Sequence, residues 1–152
     1  MVDAPTHVPI EVSQAPDGIR FQGGHDGWLK SHGLTHARTL ELTFDGRGMV
    51  GEDLLVALDD ADRKRMGKVL EDALDPGILF QMRFHLHPEV DAAIDMGGAA
   101  VSLALKSGEI WVLRSDASVE MSLEPSVYLE KGRLKPRATR QIVLSGRARW
   151  VA

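Results

Sequence analysis

The sequence predicts an all-β fold, an antiparallel β-sandwich of the supersandwich-like kind, with one short helix or charged loop around residues 62–74. The first observation is that apolar and polar residues alternate in several runs, which is the period of a strand with one buried face. The second is that turn-forming pairs such as Asp45-Gly46 and Ser107-Gly108 separate these runs. The third is a hydrophobic content of 43% in 152 residues, which is enough for one globular domain with a core.

The clearest alternation lies in two runs, "HARTLELTF" at 36–44 and "ILFQMRFHLH" at 78–87. In the first run, leucines and a phenylalanine occupy one face, and threonines and a glutamate occupy the other. The Asp45-Gly46 pair that follows predicts a tight hairpin turn, because glycine takes positive φ without strain. In the second run, five apolar side chains form one face and polar side chains form the opposite face. Each run therefore predicts a strand that buries one side.

The second half of the chain continues the same pattern. The segment "AVSLALKSGEIWVLR" at 100–114 predicts two strands joined at Ser107-Gly108. The segment "SVEMSLEPSVYL" predicts a strand that breaks at Pro125, because proline cannot donate a hydrogen bond to a neighbouring strand. The segment "RQIVLSG" at 140–146 predicts a last full strand.

One segment departs from the period of two. Within residues 62–74 the apolar residues are spaced as on one side of a helix, and an Asp-Pro-Gly sequence then ends the pattern. We therefore expect a short amphipathic helix, or a charged loop with helical tendency, inserted between strands. Residues 1–17 are expected to form a partly irregular N-terminal extension, and residues 18–152 the β-sandwich domain.

The composition excludes several classes of function. The net charge is −4, with 18 basic and 22 acidic residues, which argues against a nucleic-acid surface, although the segment from Lys131 to Arg140 is locally basic. The chain has no cysteine, so disulfides, thiolate metal sites and cysteine nucleophiles are excluded. No apolar stretch is long enough to span a bilayer. We therefore expect neither a nucleic acid nor a membrane as partner.

Two glycine-containing strings, "GGHDGW" and "GLTHAR", carry the first candidate binding residues. Within the first string, Asp26-Gly27 predicts a turn. Two interpretations are open: a strand–turn–strand with a packed tryptophan, or a groove in which aromatic and cationic side chains bind an anionic sugar. The candidate substrate-binding residues of this groove are His25, Trp28, His36 and Arg38.

A second candidate pair, His85 and His87, lies in "FHLHPEV", where side chains two apart on a strand point the same way. Zinc requires three or four ligands, and this spacing supplies two at most, so we predict no metal site. Three alternatives remain for the pair. The rings are solvated or hydrogen-bonded on the polar face of a sheet edge, they contact a bound sugar, or they belong to a small metal-dependent hydrolase.

The order of these motifs resembles the C-terminal portion of heparinase II/III-like proteins, which are bacterial polysaccharide lyases. The strings that carry the resemblance are, in order, "HDGW", "GLTHARTLEL", "DGR", "GEDLL", "FHLHPEV", "VSLALKSGEIWVLR", "VEMSLEPSVYL" and "RQIVLSG". They cover most of the chain, from about Gly18 onward. The resemblance depends on their order, since no single string is specific.

The resemblance implies an architecture and a chemistry. Proteins of this family join an N-terminal α-helical toroid to a C-terminal antiparallel β-sandwich. The implied partners are therefore the helical toroid domain of the same full-length protein and an acidic, uronate-containing polysaccharide. Such lyases cleave by β-elimination, in which a base removes the proton next to the carboxylate and an acid protonates the leaving oxygen. A neutralising group stabilises the charge that spreads onto the carboxylate.

This chain departs from the family at the residues that carry that chemistry. The sandwich of the family supplies a catalytic histidine and metal ligands from an HAHxD motif near its start, and the toroid supplies the other catalytic groups. The string "FHLHPEV" has the HxH spacing, but Pro88 and Glu89 follow it. No catalytic or zinc role is therefore carried over to His85 or His87. We expect no cofactor in this chain, because the zinc or calcium of the family is implied to bind through a motif that is not present here.

The sequence thus predicts a structural β-sandwich module of a heparinase II/III-like lyase, inactive alone. The alternative is a stand-alone carbohydrate-binding module for acidic sugars. For the parent protein, a periplasmic and a cytoplasmic location in a bacterium both remain open.

Overall fold

The computed structural model describes residues 4–74, 76–116 and 118–149. The chain divides into two compact units, Met1–Pro76 and Gly77–Ala152, which are described separately. Every strand pair in both units is antiparallel, which confirms the predicted all-β, sandwich-like class.

The first unit is a four-stranded antiparallel sheet in the order β1-β2-β3-β4 with two helices. Its elements are, in chain order, β1 (Ile10–Ala15), β2 (Gly18–Trp28), α1 (Leu29–His32), β3 (Leu34–Thr43), β4 (Met49–Val56) and α2 (Asp60–Asp72). The turn between β3 and β4 contains the predicted Asp45-Gly46 pair. Gly46 has φ +68°, and the Asp45 carboxylate accepts hydrogen bonds from the Thr43 hydroxyl at 2.6 Å and the Arg47 amide at 3.0 Å.

Helix α2 confirms the helical alternative for residues 62–74, with a start two residues earlier. Asp59 caps it, since its carboxylate accepts from the Asp62 amide at 2.8 Å. Helix α1, which no pattern in the sequence predicted, ends at Gly33 with φ +66°. A Cβ at position 33 would collide with the Asp62 carbonyl, so the glycine permits close contact between the two helices.

The second unit contains two three-stranded antiparallel sheets, β5-β10-β9 and β6-β7-β8. Its strands are β5 (Ile78–His85), β6 (Asp91–Asp95), β7 (Ala100–Ala104), β8 (Ile110–Arg114), β9 (Glu120–Tyr128) and β10 (Arg137–Ala148), and a 3₁₀ turn covers Met96–Gly98. The predicted hairpin around Ser107-Gly108 is thus formed by β7 and β8, and the predicted last strand is part of β10.

The core of the second unit lies between these two sheets. Ala92 and Val101 contribute from one sheet, and Met121, Ile142 and Leu144 contribute from the other. Partly buried apolar side chains pack around them, including the predicted inward side of β5: Met82, Phe84, Leu86, Leu103, Leu113, Val119 and Leu123. The apolar side chains that alternate along these strands therefore form the core between two sheets packed face to face in this unit.

Two sequence-based predictions are wrong in detail. Strand β9 does not break at Pro125, which pairs with Arg140, and it continues to Tyr128. The reason is that β9 is an edge strand, where proline is tolerated because one side of the strand has no partner. The Asp26-Gly27 pair does not form a turn but lies inside β2, where the register with β3 shifts between His25 and Trp28.

The observed division of the chain also differs from the predicted one. The predicted boundary between residues 17 and 18 falls at the tight connection of the β1–β2 hairpin, where Ala15 pairs with Gly18. Strand β1 therefore belongs to the sheet of the first unit, and the division into units falls at Pro76/Gly77 instead.

Ile142→Ala is expected to lower the free energy of unfolding of the second unit by about 2–5 kcal/mol, because the Ile142 side chain is fully buried in the core. The matched control is Val127→Ala on the neighbouring strand β9, where the side chain is 61% exposed and the change stays within about 0.5 kcal/mol. Hydrogen exchange of the β9 and β10 amides in denaturant measures both effects. Equal losses for the two variants would contradict this core assignment.

Candidate functional site

One end of the four-stranded sheet carries a polar cluster, which we define as His25, Trp28, His36, Arg38 and Asp53. His25 on β2 is the cross-strand partner of His36 on β3, and Arg38 on β3 is the partner of Asp53 on β4. Cross-strand partners point to the same face of a sheet. The register of three strands therefore brings together the four residues that the sequence singled out in this region.

Asp53 is the centre of the polar cluster, and it is not among the residues predicted from the sequence. Its Oδ1 lies 2.6 Å from His36 Nε2 and accepts a hydrogen bond from Arg38 Nε at 2.8 Å. The Asp53 side chain is only 13% exposed. Both basic groups are therefore engaged by one carboxylate, and an anionic ligand would have to compete with Asp53 for them. The signal that could have found Asp53 is the hairpin register, which places β4 residues opposite β3.

The three aromatic rings of the polar cluster contact one another. The ring centroids of His25 and Trp28 are 4.7 Å apart, those of His25 and His36 are 5.0 Å apart, and those of Trp28 and His36 are 5.9 Å apart. Trp28 remains 43% exposed, so the indole covers the histidines and still presents a surface to a ligand.

The His25 ring is partly shielded and accepts a hydrogen bond at Nδ1 from the Gly27 amide at 3.2 Å. Burial lowers the pKa of His25 below its usual 6.5, the charge of His36 lowers it further, and Asp26 opposes both. His25 therefore favours the neutral form, which is the form that accepts protons and binds metals.

Asp26 anchors the chain segment that precedes β1. Its carboxylate accepts from the Thr6 amide at 2.8 Å, the Thr6 hydroxyl at 2.6 Å and the His7 amide at 3.1 Å. The Thr6 hydroxyl, followed by the His7 amide, lowers the pKa of Asp26 to about 2. This attachment places Val8 beside the sheet.

A shallow groove of about 190 Å³ runs along the sheet beside the polar cluster. Its lining is formed by Val8, Ile10, Phe21, Gly23, Gly24, His25, His36 and Arg38. The groove thus has an apolar floor and one polar end. Such a surface suits an apolar or aromatic group better than a highly hydrated anion.

His85 and His87 lie in the second unit and have different partners. His85 ends β5, and its Nδ1 lies 2.7 Å from the Ser126 hydroxyl of β9, on the far side of β10. His87 follows the strand; its Nδ1 accepts a hydrogen bond from the Glu89 amide at 3.2 Å, and its ring centroid lies 4.9 Å from that of Tyr128 in an edge-to-face arrangement. The two rings therefore have separate partners.

Within residues 4–74, 76–116 and 118–149, no three His, Asp or Glu side chains converge to hold a metal ion. Of the helices formed by these residues, none is long and apolar enough to cross a membrane.

The fold and the motifs place this chain in a known family. The family described as heparinase II/III-like, C-terminal, matches residues 2–150. The chain therefore belongs to the heparinase II/III-like C-terminal family, which confirms the resemblance found in the sequence.

A curated relative from Caulobacter vibrioides (strain NA1000 / CB15N), named FtsZ-localized protein C, is 34% identical over 151 residues. The similarity covers 98% of this chain but 24% of that protein, so the chain spans about a quarter of the length of this relative. No solved structure matches the chain significantly.

The electrostatics of the polar cluster can be tested through the pKa of His25. His36→Gln is expected to raise the pKa of His25, because it removes the neighbouring positive charge that lowers it. Asp26→Asn is expected to lower the pKa of His25, because it removes the negative charge that raises it. Nuclear magnetic resonance titration of the ring protons measures both shifts. Because the folded-state pKa lies below 6.5, the contribution of His25 to stability is complete above that pH and declines as the pH falls below it. Shifts of the same sign in both variants would contradict the arrangement.

Proposed function

We propose that the chain acts as the non-catalytic C-terminal β-module of a larger heparinase II/III-like protein, and that one face of its four-stranded sheet packs against another part of that protein. The observation that carries the proposal is a continuous apolar face on this sheet that is exposed to solvent. Contiguous exposed apolar surface of this kind marks interaction sites.

Strand register defines this apolar face. Val12 is paired with Phe21, which in turn is paired with Leu40, so the three side chains share one side of the sheet. Val12 is 66% exposed and Met49 is 61% exposed. The apolar members of the face are Ile10, Val12, Ile19, Phe21, Leu40, Leu42 and Met49. The polar cluster lies at one end of the same face and would form the hydrated rim of the interface.

The proposed occupant of the apolar face is the helical toroid domain of the same protein. Two observations support this choice: the family is described as C-terminal, and the chain corresponds to 24% of the length of its Caulobacter relative. An interface within one polypeptide needs no separate binding energy for association, so a moderately apolar face is sufficient.

The non-catalytic role is supported by the bonding of the polar cluster. Asp53 engages both His36 and Arg38, which leaves no free cation there to neutralise a uronate carboxylate. We therefore assign any β-elimination of uronate polysaccharide, and any zinc or calcium that it requires, to other parts of the parent protein. The same bonding weakens the alternative of a stand-alone binding module for acidic sugars, although His25, Trp28, His36 and Arg38 do converge.

Val12→Glu in the full-length parent is expected to accelerate hydrogen exchange of the β1 and β2 amides about tenfold or more, because a buried charge opposes packing of the apolar face. In the 152-residue chain alone, the same substitution changes the free energy of unfolding by about 0.5 kcal/mol or less, since Val12 is exposed there. Gln22→Glu, on the opposite face of β2 and also exposed, is the matched control.

Two results would contradict the proposal. One is an equal response of the parent protein to Val12→Glu and Gln22→Glu. The other is the release of unsaturated sugar from a uronate polymer by the 152-residue chain alone, measured by ultraviolet absorbance.

A second candidate function concerns the location of the parent protein. The Caulobacter relative is named for its localisation with FtsZ, and its similarity extends over 98% of this chain. We propose that the protein carrying this chain is also localised with FtsZ. This candidate is compatible with the module role, because a non-catalytic β-module can serve assembly as well as catalysis.

A fluorescent fusion of the full-length parent is expected to coincide with FtsZ fluorescence in dividing cells, because this chain resembles an FtsZ-localized protein over nearly its whole length. Two-colour microscopy measures the overlap, and the fluorescent protein alone is the control. A uniform distribution in cells that contain FtsZ assemblies would contradict this candidate.

A further inference from the structure

The loop that joins β9 and β10 in the second unit is locally basic, and the proposed function does not use it. Together with Arg137, the first residue of β10, its sequence "LEKGRLKPR" covers residues 129–137 and contains four basic residues and one acidic residue. The whole chain, in contrast, has a net charge of −4. Positive charge is therefore concentrated in this basic loop, which we define as residues 129–137.

The only acid of the basic loop, Glu130, is held between two arginines. Its Oε2 lies 3.2 Å from Arg133 Nε and 3.5 Å from Arg137 Nη1. This oxygen is shielded from solvent, yet no described group gives it a hydrogen bond of good geometry. The Glu130 side chain as a whole is 37% exposed, and Oε2 is poorly aligned with both guanidinium groups, so a carboxylate that aligns better with them can displace it.

The conformation of the basic loop keeps these groups at the surface. The Arg133 amide donates to the Glu130 carbonyl at 3.1 Å, and Gly132 between them has φ +82°. Beyond this turn, Leu134 is fully exposed, and residues 132–137 line a shallow, open concavity of about 430 Å³. An exposed leucine beside an arginine pair offers an apolar contact and a carboxylate contact within one small surface.

We propose that the basic loop is a docking site for an acidic polypeptide segment of a partner protein. A carboxylate of the segment replaces Glu130 between Arg133 and Arg137, and an apolar side chain of the segment covers Leu134. Glu130 thus occupies the site when no partner is bound. A polypeptide fits better than a lipid surface, because the loop presents a concavity and a guanidinium pair with directional donors.

This proposal is independent of the apolar face of the first unit. The apolar face is proposed to contact the parent protein itself, whereas the basic loop binds a separate acidic segment.

The positive charge of Arg137 also acts on a second acid, Glu89. Lys106 lowers the pKa of Glu89 most, and His87 and then Arg137 lower it further. Glu89 is paired with Lys106 at 2.6 Å, so it competes little for the arginines.

The test measures the binding of a fluorescently labelled synthetic peptide of Glu, Asp and Leu residues to the 152-residue chain by fluorescence anisotropy. Arg133→Glu together with Arg137→Glu is expected to weaken binding about tenfold or more, because both carboxylate contacts become repulsive. Glu130→Gln is expected to strengthen binding a few-fold, because it removes the competing charge. If the double variant fails to fold, Arg133→Glu alone serves as the test, because Arg133 lies in the exposed turn; it too is expected to weaken peptide binding.

The matched control is Lys64→Glu together with Lys68→Glu on helix α2, which makes the same change in net charge outside the loop sequence. This control is expected to leave peptide affinity within about twofold of the unchanged chain at moderate salt. Leu134→Ala is expected to weaken binding of the leucine-containing peptide, because it removes the apolar contact. Binding of a peptide in which serine replaces leucine should not respond to Leu134→Ala.

Three results would overturn the proposal. The first is an equal loss of affinity in the loop variants and in the α2 control, which would indicate only a response to net charge. The second is weaker peptide binding in Glu130→Gln. The third is binding to phosphatidylglycerol vesicles, lost in the loop variants, with no binding of either peptide, which would assign the loop to a lipid surface.

Discussion

The cross-strand register of β2, β3 and β4 is the constraint on which the first unit depends. It places His25 opposite His36 and Arg38 opposite Asp53, and it aligns the apolar residues of the same strands on the same face. A slip of one residue would move each of these side chains to the other side of the sheet. The polar cluster and the apolar face therefore have one common origin and would be lost together.

In the second unit, the corresponding constraint is the central position of β10 between β5 and β9. Ile142 points into the core while its neighbour Gln141 lies on the outer side, where its amide donates to the Pro125 carbonyl at 3.2 Å. On the outer side of this sheet, polar side chains of β5 and β9 bond to each other across β10, such as Arg83 with Glu124 at 3.0 Å and His85 with Ser126. His85 of the HxH string is thus one of the side chains that bond across β10 on this outer side.

Much of the fold could be predicted because its signals are local. Alternation predicted β3, β5 and β7–β10, and the helical spacing before an Asp-Pro-Gly sequence predicted α2. The failures concern residues whose role depends on a distant neighbour. Pro125 is tolerated only because β9 is at an edge, and β1 becomes a strand only because β2 is present to pair with it. Asp53 was missed because its pairing with Arg38 follows from the register of the β3–β4 hairpin and not from the residues next to Asp53 in the sequence.

The sequence by itself determined the all-β class, the family, the inward side of most strands and the absence of thiol chemistry, because composition and period act within a few residues. Only the tertiary structure decided that Asp53 engages His36 and Arg38, that His85 and His87 have separate partners, and that the chain forms two compact units. The physical reason is that hydrogen bonds and ion pairs depend on distances between strands. Those distances are set by register and sheet order, which a period of two leaves undetermined.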